Sequence, residues 1–201
     1  EIRNSGVFVG HANRVEGLVI KHNPPFHTQD EIKEALNQVF DYLSKEDDIH
    51  PLIKAGILHH EVAYIHPFLD GNGRIARLLT VYYQLLKNYE IIKYFIIDDY
   101  YDVDRFLYSD SLHSADSGDK TAWLEYFLTG MARQAEDALG RAERINQLLT
   151  KWRHEVAGFS SKTPVMLIDL LAENPYLKVN KVIKKLGIAF TTAQRAVGKL
   201  E

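Results

Sequence analysis

The chain has 201 residues, 46% of them hydrophobic and 25% charged, with a formal net charge of −3. Such a length holds one ordinary domain and a small appendage, and the charge excludes a polyanion-binding surface over the whole protein, so any nucleic-acid contact must rest on a local patch. There is no cysteine, which excludes disulfides, thiol nucleophiles and zinc–thiolate sites and fits a reducing, cytoplasmic setting. No apolar run approaches the roughly 18 residues that a membrane span needs, so no membrane partner is expected.

In chain order, Val7-Phe8-Val9 and Val15 to Ile20 are β-rich segments broken by Gly6, Gly10 and Gly17, and predict a small β-hairpin that Asn23-Pro24-Pro25 ends. Thr28 reads as an N-cap with Glu31 as its capping-box partner, and Ile32, Leu36, Val39, Phe40 and Leu43 follow at helical spacing. Pro51 is placed as the first residue of a second helix, to about Ile65. A glycine-containing loop follows, and a third helix resumes at Arg74. Ile91 to Ile97 is an apolar run of undecided type. Helices are predicted over Asp102 to Ala115 and Thr121 to Arg153, with a break near Gly140. Ser160-Ser161-Lys162 marks a boundary, beyond which Pro164 to Ala172, Val179 to Leu186 and Thr191 to Leu200 read as three short helices. The fold class is therefore all-α with a small hairpin, divided into residues 1–157 and a helix-turn-helix module at 158–201.

The chemistry concentrates between His66 and Arg77. Backbone N–H groups of Gly71, Asn72 and Gly73 at a helix start form an anion site, because the donors are unsatisfied and the helix dipole favours negative charge. Arg74 and Arg77, three apart, share a helix face and suit phosphate oxygens. Asp70 offers a hard carboxylate of the kind that holds nucleotide-bound magnesium. His66 supplies an imidazole suited to general-base work near neutrality. Together these make a phosphate-transfer site. By contrast, His59-His60-Glu61 lacks the spacing of a helical metal motif and reads as packing.

The stretch His66-Pro67-Phe68-Leu69-Asp70-Gly71-Asn72-Gly73-Arg74-Ile75-Ala76-Arg77 resembles the signature of the Fic (Fido) family at every defined position. Pro24-Pro25, His50-Pro51, Ala63-Tyr64-Ile65, Asp99-Tyr100-Tyr101, Gly118-Asp119, Trp123 and Phe127 extend the likeness over about residues 5 to 130. That resemblance implies a Fic-type helical core with a β-hairpin flap. It also implies protein adenylylation, the transfer of AMP from ATP to a Ser, Thr or Tyr hydroxyl with release of pyrophosphate; UMP and GMP donors stay open. His66 would be the base and Asp70 the Mg2+ ligand. Gly71, Asn72 and Gly73 would line the anion hole, Arg74 would bind the β/γ-phosphates and Arg77 would reach the γ-phosphate. Phe68 would point into the core, and Tyr100 and Tyr101 are candidates for one adenine wall. Val15, Leu18, Val19 and Ile20 would belong to the flap that docks a target segment as an added strand. The implied partners are ATP, a hydroxyl-bearing target protein, the enzyme itself as a side-reaction target, and a second copy of the chain.

Many relatives carry an inhibitory helix with the pattern Ser/Thr-x-x-x-Glu-Gly/Asn, whose glutamate pairs with the second signature arginine, here Arg77. Glu16-Gly17 follows Ala12 and Glu173-Asn174 follows Asp169, so neither fits; such a helix is expected from before Glu1 or from another chain. The tail is locally basic, with Lys178, Lys181, Lys184, Lys185, Arg195 and Lys199, and Thr191 to Arg195 resembles the start of a recognition helix in a partial winged helix. The rival reading is therefore a DNA-binding regulator whose Fic core senses nucleotide.

Overall fold

The computed structural model describes residues 1–13 and 17–198, with backbone only for 11–13 and 17–18. Two antiparallel strands, β1 (Val9–Asn13) and β2 (Gly17–His22), form the hairpin. Its register is irregular between Val9 and Gly10, where Val9 faces His22 and Gly10 faces Ile20. A Cβ at Gly10 would lie 2.2 Å from the Val19 carbonyl oxygen, so this close backbone approach requires glycine. The first strand thus starts later than Val7 to Val9 implied, and Val15 lies outside the described residues.

Helices α1 (Gln29–Ser44) and α2 (Pro51–Ile65) begin as expected. Thr28 and Glu31 close a capping box, and His50 caps α2 with Pro51 in its first turn. Most faces of α2 are buried, including Ala55, Leu58, His59, His60, Val62 and Ile65. It is the central helix of a core shared with Ile32, Val39, Ala76, Trp123 and Phe127. Gly56 lets α2 run close to its neighbour, since a Cβ there would sit 2.8 Å from Leu124 and 3.0 Å from Phe127. The Trp123 indole N–H donates to the Gly56 carbonyl at 2.8 Å, so the largest core side chain keeps its polar atom satisfied.

Helix α3 (Asn72–Leu86) is followed by a 3-10 turn at Glu90–Tyr94, α4 (Ile97–Val103) and α5 (Arg105–Ser114). The single helix expected from Asp102 to Ala115 is in fact two. Asp104 adopts an extended backbone and its carboxylate accepts from the Leu107 N–H, so it restarts the chain as an N-cap. A second 3-10 turn spans Ala115–Ser117, and α6 (Thr121–Val156) then runs unbroken through Gly140. One helical glycine costs only about 1 kcal/mol, too little to interrupt so long a ladder.

The chain divides into two compact units, Glu1–Ala138 and Leu139–Glu201. In the second, α7 (Thr163–Glu173), α8 (Val179–Leu186) and α9 (Phe190–Val197) pack Leu167, Leu170, Val182, Ala193 and Ala196 into a small core. Gly187, at φ 64°, ends α8 in the left-handed conformation that favours glycine. Among the described residues no helix is long and apolar enough to cross a membrane.

Candidate active site

His66 terminates α2 in the left-handed region, at φ 52° and ψ 59°, which is uncommon for a residue with a Cβ. Three hydrogen-bond donors of Arg3, itself 3% exposed, hold that turn in place, and a fourth ties it to Ser5. Its Nε reaches the His66 carbonyl at 2.7 Å, Nη2 the Ile65 carbonyl at 3.1 Å, and Nη1 the Ser5 carbonyl, while its backbone N–H donates to Pro67 O at 2.9 Å. The Ile65 and His66 carbonyls are among those that the end of α2 leaves without helical partners, and a cation there also suits the helix dipole. No pattern in the sequence flags Arg3, because its partners on the α2 turn lie more than sixty residues away.

The His66 ring is half-buried, and its Nδ1 lies 3.2 Å from the Ala63 carbonyl. A carbonyl can only accept, so Nδ1 carries the proton and Nε2 presents a lone pair. Burial lowers the ring's pKa below the ordinary imidazole value; the Ala63 contact opposes this, and His22, Arg3 and His113 reinforce it. His66 is thereby kept neutral, as a base must be.

The loop closes through Asn72, 2% exposed, whose side chain accepts from the Phe68 N–H at 2.8 Å and donates to the Phe68 carbonyl at 2.7 Å. This reciprocal clamp, and not burial of the Phe68 ring, fixes the loop: Phe68 is half-buried and stands outside the core cluster. Helix α3 starts two residues before Arg74. Gly71, at φ 84°, is its N-cap and has no side chain to satisfy the first-turn N–H groups, which are left to a ligand or solvent.

Asp70 accepts from the Gly71 N–H at 2.6 Å and pairs with Arg74 at 3.1 Å, with both side chains largely exposed. Such a pair contributes at most about 1 kcal/mol, so both groups can be recruited by a ligand. Arg77 lies over Gly73, where a Cβ would sit 3.5 Å from its Nη1, and its Nε pairs with Asp98 at 2.5 Å. Asp98 is a second partner that sequence reading missed.

Tyr101 is buried and Tyr100 half-buried, and both are packed against neighbouring groups. Tyr101 is 3% exposed and packs 4.6 Å from the Tyr108 ring, within a cluster that includes His59 and Tyr126. Tyr100 is packed so tightly on Gly130 that a Cβ there would lie 2.5 Å from its ring, and Arg133 covers it at 5.7 Å. Tyr101 also lines a narrow crevice with His59, Arg77 and Thr80. Of the flap residues, Val19 and Ile20 are on β2, with Ile20 51% exposed; Leu18 is placed by its backbone opposite Ala12. A cavity of about 400 Å³ between α1 and α2, lined by Val39, Tyr42, Glu61 and Lys120 among others, includes no signature residue.

Fold and site define a helical protein in which a half-buried imidazole and an uncapped, arginine-bearing helix start share one loop. Residues 4–84 match the Fic/DOC family. It is 30% identical over 128 residues to a protein of Nematostella vectensis named protein adenylyltransferase Fic, covering 59% of this chain and 28% of that relative. A Caenorhabditis elegans protein named protein adenylyltransferase fic-1 is 30% identical over 112 residues, covering 55% and 20%. The chain thus spans less than a third of these relatives' lengths. A crystal structure of a Fic family protein from Desulfovibrio desulfuricans G20 matches with a TM-score of 0.59 and 22% identity, covering 96% of this chain and 53% of that one, and shares the fold.

Proposed function

We propose that this chain is a protein adenylyltransferase that transfers AMP from ATP to the hydroxyl of a Ser, Thr or Tyr in a target protein. The observation that carries this reading is the free Nε2 lone pair of a neutral His66, one loop away from the uncapped start of α3. The curated relatives' names support it. His66 Nε2 takes the hydroxyl proton as the oxygen bonds to the α-phosphorus, and the α–β bridging bond breaks to release pyrophosphate. The N–H groups of Asn72 and Gly73 and the guanidinium groups of Arg74 and Arg77 bind the phosphate oxygens and orient the chain for in-line attack. Asp70 fits magnesium as this ion is usually held by nucleotide enzymes, through one exposed carboxylate and the phosphates. When bound, the ion would neutralise phosphate charge. The hairpin, with Val19 and Ile20, offers the target an edge for main-chain pairing. In this assignment catalysis belongs to residues 1–157.

The test is intact-mass spectrometry of the pure chain, and of lysate proteins mixed with it, after incubation with ATP and Mg2+. One added AMP in either arm, abolished by His66→Ala, is the expected result. ATP binding without transfer in either arm would overturn the reading.

A second reading, DNA binding by residues 158–201, rests on the outer face of α9, where Thr191, Thr192, Gln194 and Arg195 are all exposed. Retarded migration of duplex DNA that Arg195→Ala relieves would support it; unretarded DNA at low salt would exclude it.

A further inference from the structure

A cluster of histidines and one carboxylate sits at the base of the hairpin, outside the signature loop. His22 is the last residue of β2, His113 lies in the last turn of α5, and Asp116 is in the 3-10 turn that follows. One donor atom from each of the three falls within 4.8 Å of the others. Oδ2 of Asp116 is 2.7 Å from Nδ1 of His22 and 3.1 Å from Nδ1 of His113. His60, on α2, brings its Nε2 to the other carboxylate oxygen at 3.0 Å.

The hydrogen-bond chemistry calls for a cation at this point. His22 Nε2 is 2.8 Å from the Tyr64 carbonyl, which can only accept, so Nε2 carries a proton. In a neutral ring, Nδ1 then aims a lone pair at a carboxylate oxygen 2.7 Å away, and two lone pairs at that distance repel. A positive charge must resolve the contact, supplied either by a second proton on the ring or by a metal ion between the donors.

We propose that His22, His113 and Asp116 form a binding site for a divalent transition-metal ion, Zn2+ by its donor set, which clips the base of the hairpin to the end of α5. Two imidazoles and one carboxylate, with a fourth position left to water, form a donor set that zinc favours over magnesium or calcium. Donors on a tetrahedral zinc stand about 3.3 Å apart given metal–ligand bonds of about 2.0–2.1 Å, so the contact to His22 at 2.7 Å opens by about 0.6 Å and that to His113 at 3.1 Å by about 0.2 Å. Supporting contacts of the usual kind are already made. The distal N–H of His22 is tied to a backbone carbonyl, and the distal oxygen of Asp116 is held by His60. His22 is 5% exposed, whereas the side chains of His113 and Asp116 are 13% and 21% exposed, which gives the ion a way in. The site is independent of the adenylyltransferase reading and uses none of the signature residues.

Untagged protein, stripped with chelator and dialysed, is titrated with ZnCl2 by calorimetry, and zinc retained after a second dialysis is counted by elemental analysis. One zinc per chain is expected, with Co2+ in its place giving the visible absorption of a four-coordinate site. His113→Ala, a change at a partly exposed position, abolishes retention. His60→Gln weakens affinity about 10–100-fold by freeing the carboxylate. His27→Ala, which removes an exposed histidine elsewhere, changes nothing. Circular dichroism checks that each variant is folded. Absence of stoichiometric zinc, or retention that His113→Ala leaves intact, overturns the proposal and assigns the cluster to a protonated ion pair.

Discussion

The Nε of Arg3 donates to the carbonyl of His66 at 2.7 Å, joining the start of the chain to the histidine proposed as the base. The guanidinium reaches three carbonyls at once, and the one on His66 belongs to a residue in the left-handed conformation. Arg3→Met leaves buried acceptors unpaired, at about 1–3 kcal/mol each, and frees the His66 turn to relax. Transfer of AMP should fall at least tenfold in kcat with a smaller change in the KM for ATP. Arg3→Lys should not restore it, because an ammonium cannot span three carbonyls in one plane. Steady-state kinetics of the two variants decide this.

His59 is fully buried between Tyr108 and Thr80, and burial, with help from the charges of Arg77 and His60, pulls its pKa down to about 3. Between that value and the ordinary value near 6.5, the unfolded state holds one proton that the folded ring refuses. The stabilising contribution of this residue is complete above pH 6.5 and is lost as pH falls, by about 1.4 kcal/mol per unit. His59→Gln should therefore lose less stability than the parent between pH 6.5 and 5, a difference of about 2 kcal/mol measurable by urea unfolding.

Burial likewise lowers the pKa of His66, although its ring is only partly enclosed. The base form of the enzyme then persists into mild acid. The acid limb of kcat/KM against pH should bend below 6.5, and a bend above 6.5 would contradict the assignment of His66 as the free base.

Arg77, which would meet the terminal phosphate, is occupied by Asp98 at 2.5 Å. On the proposed assignment ATP would displace that carboxylate, whose side chain is 63% exposed, so the competition is modest. Asp98→Asn should tighten ATP binding by a few-fold, read by calorimetry on the His66→Ala background, where no turnover intervenes.

Asn72 is the fifth test. Its side chain, 2% exposed, makes both hydrogen bonds that close the loop on Phe68. Asn72→Ala should cost about 1–3 kcal/mol of stability in thermal or urea unfolding. Asn72→Asp should not repair it, since a carboxylate cannot donate to the Phe68 carbonyl.

What the sequence by itself determined was whatever depends on neighbours along the chain. The capping box at Thr28 and Glu31, Pro51 at the head of α2 and the left-handed turn at Gly187 are local, and each is where the residue types placed it. So is the order of base, carboxylate, glycines and arginines from His66 to Arg77, whose spacing is set by one loop and one helix turn. Tertiary structure decided which side chains are left free to act. Arg3 and Asp98 reach His66 and Arg77 only because distant segments pack there, and Tyr101 is buried because its ring fills space beside Tyr108. His22, His60, His113 and Asp116 are gathered from four elements that no periodicity connects. Local pattern fixes backbone conformation and residue order; burial and long-range pairing fix charge state and availability, and these arise only when the chain has packed.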